Sequence, residues 1–133
     1  MKKILGQVAW FVMVGCAAAA THWAVVVITV SGLNLAPLLA NVVGWLIAFA
    51  VSFGGHYTLT FRHQKAPLGR ALRRFFMVSA LGFAINEAAY AWLLHATRLR
   101  YDILLALILI AIAVMTFILG RLWAFRQGNS LQP

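Results

Sequence analysis

From Ile4 to Phe61 the chain contains no lysine, arginine, aspartate or glutamate, an uncharged run of 58 residues. A bilayer-crossing helix needs about 20 mostly apolar residues. The run therefore has length for two such helices and must break between them. Turn-forming residues cluster at Ser31-Gly32-Leu33-Asn34-Leu35-Ala36-Pro37, which predicts a first span over about 8–30 and a second over about 38–61. Two further apolar stretches follow: 75–97, interrupted by Asn86-Glu87, and 103–125, with Arg121 near its end. Each stretch has 23 or 24 residues, enough to cross with some tilt. Helix is the expected state, because a membrane strand is about half as long and alternates polar with apolar residues. Composition agrees, with 64% hydrophobic and 10% charged residues, against about 45–50% and 25% in soluble domains. An ordinary soluble enzyme, a disordered chain and a disulfide scaffold are excluded. Cys16, the single cysteine, permits no intrachain disulfide. Met1-Lys2-Lys3 and the following apolar run resemble a signal peptide, with Val14-Gly15-Cys16 placed like a lipoprotein cleavage site. The run continues too far beyond Cys16 for a signal h-region, so it reads as an uncleaved span.

Charge gives the direction. Of the eleven cations, Lys2 and Lys3 lie before the first span, and Arg62, Lys65, Arg70, Arg73 and Arg74 between the second and third. Arg121 and Arg126 lie at or after the end of the fourth, and only Arg98 and Arg100 fall on the other side. Nine against two places both termini and a basic loop over 62–74 in the cytoplasm. The same arginines are suited to holding a lipid phosphate. The cations sit at membrane ends and line no groove that the sequence predicts, so nucleic acid is not an expected partner.

Sliding the chain on itself by 64 residues brings Phe11, Met13, Val14, Ala20 and Ala24 onto Phe75, Met77, Val78, Ala84 and Ala88. The same shift brings Phe53, Phe61 and Arg62 onto Phe117, Phe125 and Arg126. One offset serves both helices of each half. The fold class read from this is an all-α membrane protein: four transmembrane helices forming two parallel helical-hairpin repeats in a single domain. Transporters are often built from such repeats, with the site at their interface.

At these residues the chain resembles the GtrA-like family of small four-helix membrane proteins, over roughly Ala9 to Arg126. The resemblance rests on Phe11-Val12-Met13-Val14-Gly15 in the first span, and on Asn41, Gly44, Ser52-Phe53, His56-Tyr57 and Thr60-Phe61-Arg62 in the second. Arg74-Phe75 and Asn86 carry it through the third span, and Gly120-Arg121-Leu122-Trp123-Ala124-Phe125-Arg126 through the end of the fourth. The chain departs from the family pattern at His22, where an acid is usual, at His56-Tyr57, where Asn-Arg is usual, and at Leu59, where an aromatic is usual. The resemblance implies translocation of a polyprenyl-phosphate-linked sugar, or of its undecaprenyl-type lipid carrier, across the bacterial inner membrane during cell-surface polysaccharide synthesis. Some members of the family are thought instead to recruit glycosyltransferases.

Moving such a lipid needs a cation for the phosphate and a polar path for the headgroup, and no covalent catalysis. The chain is accordingly not expected to be an enzyme, and no cofactor is implied. Arg121 is the leading candidate for the phosphate, since arginine binds it bidentately and stays charged. Arg62, Arg126, Arg73 and Arg74 are further candidates. His56 is a last phosphate candidate: it stands at the foot of a ladder of small residues, Ala40, Gly44, Ala48 and Ser52, whose spacing suits close helix packing, and would face the same neighbour. Glu87 is the only acid within a span, and a carboxylate there should be paired or in a wet cavity. With His22 at matching depth and Asn86 beside it, a His22–Glu87 contact is expected mid-membrane, as a headgroup path, a proton route or a clamp between helices. Asn41 is a weaker candidate near the outer end. Trp10, Tyr57 and Trp123 fit an interfacial aromatic belt; Trp45 and Trp92, nearer the outer leaflet, fit the belt too and are alternatively placed to stack on a sugar.

His22, His56, His63 and His95 fall at four depths, so no metal site is expected. Asp102 reads as outer loop, which leaves no Ser-His-Asp set. The readings that compete with translocation are a membrane anchor that recruits a glycosyltransferase and a small proton-coupled exporter, whose acid would be expected in the first helix. Four helices enclose little volume, which leaves room for a homodimer.

Overall fold

The computed structural model describes residues 2–63 and 66–124, with side chains described as far as residue 115. Every regular element among the described residues is helical: α1 (Lys2–Leu33), α2 (Pro37–Gly55), a π-helical turn (His56–Thr60), α3 (Leu68–Ala96) and α4 (Tyr101–Ala124). Three helical segments are long and apolar enough to cross a membrane: α1, α2 with its π turn, and α3. In α4 the apolar stretch among the described side chains is Tyr101–Met115.

The break between α1 and α2 is narrower than its run of turn-formers suggests. Only Asn34, Leu35 and Ala36 are non-helical. Asn34, at φ 54°, takes the left-handed conformation that asparagine tolerates. The Leu35 N–H then reaches back to the Thr29 carbonyl at 3.1 Å. Pro37 starts α2 at a position where its missing N–H has no cost.

Helix ends elsewhere differ from expectation in ways that move charge. Lys2 and Lys3 are not a tail before the helix but its first residues. The connection before α3 ends at Pro67, so Arg70, Arg73 and Arg74 ride on the first turns of a helix and not in a loop. Asp102 belongs to the first turn of α4, where a carboxylate is favoured by the helix dipole, and it pairs with Arg100 at 3.1 Å. At about 1.5 Å per residue, the 32 residues of α1 and 29 of α3 are longer than a hydrocarbon core of about 30 Å. Their charged ends reach the headgroup region.

Hydrocarbon offers no hydrophobic drive to bring helices together, so close fit and polar contacts must do so. α1 and α2 meet along two facing ladders of fourth residues: Val14, Ala18, His22 and Val26 on one, Ala40, Gly44, Ala48 and His56 on the other, all buried. A Cβ added at Gly44 would lie 2.7 Å from His22 Cδ2 and 2.9 Å from the His22 carbonyl oxygen. One added at Gly55 would lie 2.7 Å from Val14 Cγ1. α4 closes the bundle near its own start through Val26, Ala40, Tyr90, Leu104, Leu105 and Ile108. Trp23 Nε1 donates to the Asp102 carbonyl (2.9 Å) and the Tyr90 hydroxyl to the Tyr101 carbonyl (3.1 Å), which pins that start. Met77, Val78, Leu81 and Ile85 on α3 and Leu107, Ile110 and Val114 on α4 face outward, a surface suited to lipid.

Candidate functional site

Three side-chain assemblies stand out in the apolar bundle. The first joins α1, α2 and α3 and is centred on Asn41, which is fully buried. The Asn41 amide nitrogen donates to Asn86 Oδ1 (2.9 Å) and to Glu87 Oε2 (2.5 Å). Its carbonyl oxygen lies 2.7 Å from His22 Nε2. An ionised carboxylate only accepts, so the amide nitrogen belongs on the Glu87 side. The oxygen then faces His22, whose Nε2 must carry the proton it donates. Every hydrogen-bonding position of the buried amide that these neighbours can serve is used, as burial of a polar group requires. Glu87 Oε1 and the Asn86 amide nitrogen are left without a protein partner among the described residues, and Glu87 is only half-buried. A donor–acceptor pair is thus offered at the edge of the junction, a set suited to hydroxyl groups.

His22, Asn86, Glu87 and Asn41 are therefore brought together, with one change from expectation. His22 does not bond Glu87; Asn41 stands between them. Asn41 is about 6 Å from the start of α2, and Glu87 about 14 Å from the end of α3. The junction lies toward the end of the bundle opposite Lys2 and Arg62.

The second assembly is a ladder of aromatic residues on α2, one position round from the small residues. Trp45, Phe49 and Phe53 pack on Phe75, Phe76 and Phe83 of α3, with Trp45 stacked on Phe83 at 4.6 Å between centroids, and Tyr57 of the π turn extends the ladder by stacking on Phe53. Trp45 Nε1 donates to Ser79 Oγ at 2.9 Å. Trp45 is thus a clamp between helices and not a free belt residue, whereas Trp92 is 69% exposed and fits the belt.

His56 ends the small-residue ladder, beside Tyr57 at the foot of the aromatic one. It is buried, with Nδ1 3.0 Å from Thr60 Oγ1 and its ring 5.0 Å from that of Phe11. With Phe53, Tyr57, Phe61 and Phe75 it lines a pocket of about 180 Å³. Among the described residues no cation lines that pocket, and Arg62 lines a neighbouring groove.

The third assembly is a groove of about 580 Å³ between the first turns of α1 and the residues that end the π turn. Lys2, Lys3, Arg62 and His63 line it, together with Trp10 and Phe61. Of the expected phosphate-binding arginines, Arg62 is here. Arg73 and Arg74 are exposed on α3 and do not line it. Arg121 lies in α4, but its side chain is outside the described residues, as is all of Arg126. Reasoning from sequence treated Lys2 and Lys3 as orientation signals only and gave His63 no role. The usable signal was the hairpin itself, which returns residue 62 to the level of residue 3.

Residues 10–125 match the family model described as GtrA/DPMS, transmembrane domain. No curated protein and no solved structure matches the chain.

Proposed function

The chain belongs to the GtrA/DPMS transmembrane-domain family, and from that premise we propose that it moves a polyprenyl-phosphate-linked sugar, or the lipid carrier itself, across the bacterial inner membrane. In this reading it is a multi-pass protein of four spans with both termini in the cytoplasm, and it performs no covalent chemistry. The observation that carries the reading is the buried junction of His22, Asn41, Asn86 and Glu87. Four polar side chains converge where hydrocarbon penalises each of them, and two retain free hydrogen-bonding atoms at the junction's edge. A sugar headgroup carries hydroxyls that both donate and accept, which such a pair complements. The cationic groove at the other end of the bundle supplies attraction for the phosphate.

The parallel-hairpin arrangement also belongs to this reading. A shift of 64 residues carries Pro37, the first residue of α2, onto Tyr101, the first residue of α4. It also carries the buried His22 and Val26 onto the buried Asn86 and Tyr90. The orientation is supported by the groove, which collects Lys2, Lys3 and Arg62 at one end.

Native mass spectrometry of the protein, extracted gently from its own membrane, tests the proposal. The expected result is a retained polyprenyl phosphate, with or without a sugar. Phospholipid alone, beside a co-purifying glycosyltransferase, would make the protein a recruiting anchor instead.

A further inference from the structure

We propose that the groove between the start of α1 and the π turn is a binding site for the phosphate of a membrane lipid, with Arg62 as its main contact and Lys2, Lys3 and His63 around it. The inference rests on the lipid-phosphate reading above and adds the place of the phosphate and three residues not previously given that role.

Charge is the first argument. Two lysines and an arginine line one groove. The chain's only two acidic side chains are Glu87 and Asp102, and both belong to the opposite end, Glu87 in the polar junction and Asp102 in the first turn of α4. Like charges gathered in a concave site without a carboxylate focus a positive potential, and an anion relieves it.

Geometry narrows the anion. Arg62 Nε donates to His63 Nε2 at 3.2 Å. That bond steadies one edge of the guanidinium and leaves its terminal amino groups with no protein acceptor among the described residues. The free fork matches two oxygens of a phosphate. Because His63 Nε2 accepts, its proton sits on Nδ1, a further donor.

The walls then choose the source of the phosphate. Ile4, Trp10 and Phe61 also line the groove. A free phosphate ion gains nothing from an indole and a phenyl ring, whereas a phosphate carried on hydrocarbon buries chain against them. The π turn builds this arrangement. The Phe61 N–H bonds the His56 carbonyl at 2.8 Å, closing a five-residue step, and Thr60 turns inward to His56 Nδ1. The chain leaves the helix there, so that Phe61, Arg62 and His63 cross the first turns of α1. Turns of this kind concentrate at functional positions.

The test uses the full chain in phosphatidylcholine nanodiscs, titrated separately with undecaprenyl phosphate, phosphatidylglycerol and inorganic phosphate, with retention read by native mass spectrometry. Arg62→Lys keeps the charge, and with it the orientation signal, but removes the fork. It should lower retention of undecaprenyl phosphate about tenfold, as loss of a bidentate contact does, with an unchanged melting temperature. Arg70→Gln removes a charge on α3 outside the groove and should stay within about twofold, as a screened surface charge does. Equal loss in the two variants would mean diffuse attraction and overturn the site. So would displacement of the lipid by millimolar inorganic phosphate, or no retention by the unmodified protein. Retention of phosphatidylglycerol as strong as that of undecaprenyl phosphate, with the same dependence on Arg62, would keep the groove and remove the polyprenyl substrate. Undecaprenyl phosphate held equally by every variant would do the reverse.

Discussion

Shifting the first hairpin onto the second by 64 residues carries His22, Val26, Ala40, Asn41 and Gly44 onto Asn86, Tyr90, Leu104, Leu105 and Ile108, and all ten are buried. The two sets differ in what fills them. The first hairpin uses small residues, which bring the backbones of α1 and α2 together at Gly44, and places two bonded polar side chains, His22 and Asn41, between them. The second keeps one polar residue, Asn86 on α3, and fills the rest of the equivalent space with large aliphatic side chains and a tyrosine. The correspondence also stops short of the basic end, where Val14 is buried under Gly55 and Val78 is 73% exposed. Two ways of joining helices in lipid, close approach and volume filling, are thus used side by side. The difference puts a polar hub on α2 and a hydrophobic seal at the matching place on α4, so of these two equivalent positions only the one on α2 meets the polar side chains of α3.

The strongest way to break this contrast is to give the first hairpin the volume of the second. Gly44→Ile installs the residue found at position 108. Its Cβ alone meets the His22 ring at 2.7 Å and the His22 carbonyl oxygen at 2.9 Å. A backbone atom cannot rotate away, so α1 must separate from α2. Overpacking of a side-chain core costs about 1–3 kcal/mol, and a clash with backbone lies at or above the top of that range. The expected outcome is loss of the folded protein, read as failure to accumulate in the membrane or as a large drop in melting temperature. Wild-type melting would show that close approach is dispensable and that the hairpins are interchangeable in packing.

Asn41→Leu makes the two hairpins alike at the hub itself, since position 105 is already leucine. The volume is nearly kept, but His22, Asn86 and Glu87 lose their common partner. A buried polar group left unpaired costs about 1–3 kcal/mol, so a moderate fall in melting temperature is expected. Transport should fall much more. A tenfold or greater loss in reconstituted vesicles, with the fold retained, is the outcome expected of a headgroup path. Transport unchanged beside reduced stability would leave the junction as a clamp between helices.

The unequal fates of these residues explain what could be read beforehand. Helix number and the break near Asn34 follow from charge-free length and turn chemistry, which are local. The small-residue ladder was legible because glycine and alanine at every fourth position carry information even in lipid. The aromatic ladder Trp45, Phe49, Phe53 and Tyr57 was not, because an aromatic residue facing a helix and one facing lipid are equally apolar. Hydropathy separates inside from outside in water but not in a bilayer. Asn41 looked minor for a related reason. Its place near the start of α2 suggested the interface, and only the packing of α1 and α3 around it makes it central. The groove needed the π turn, an irregularity with no sequence signature here, to carry Arg62 over Lys2 and Lys3.

The gentlest change tests whether the hub needs an imidazole at all. His22→Asn installs the side chain present at the equivalent position 86. An amide N–H can replace the Nε2 donor toward Asn41 Oδ1, although the shorter side chain will stretch or tilt the 2.7 Å bond. Polar contacts between spans are individually modest, about 0.6 kcal/mol on average, so a weakened one should shift melting by only a few degrees. If the junction acts by offering hydrogen bonds to a headgroup, transport should fall by no more than a few-fold, and His22→Ala, which offers none, should be clearly worse. If His22→Asn instead abolishes transport at unchanged stability, the ring must do something an amide cannot, and the one such property is to take up and release a proton. The polar hub would then be a proton route next to Glu87, and the contrast between the hairpins would lie in charge movement more than in packing.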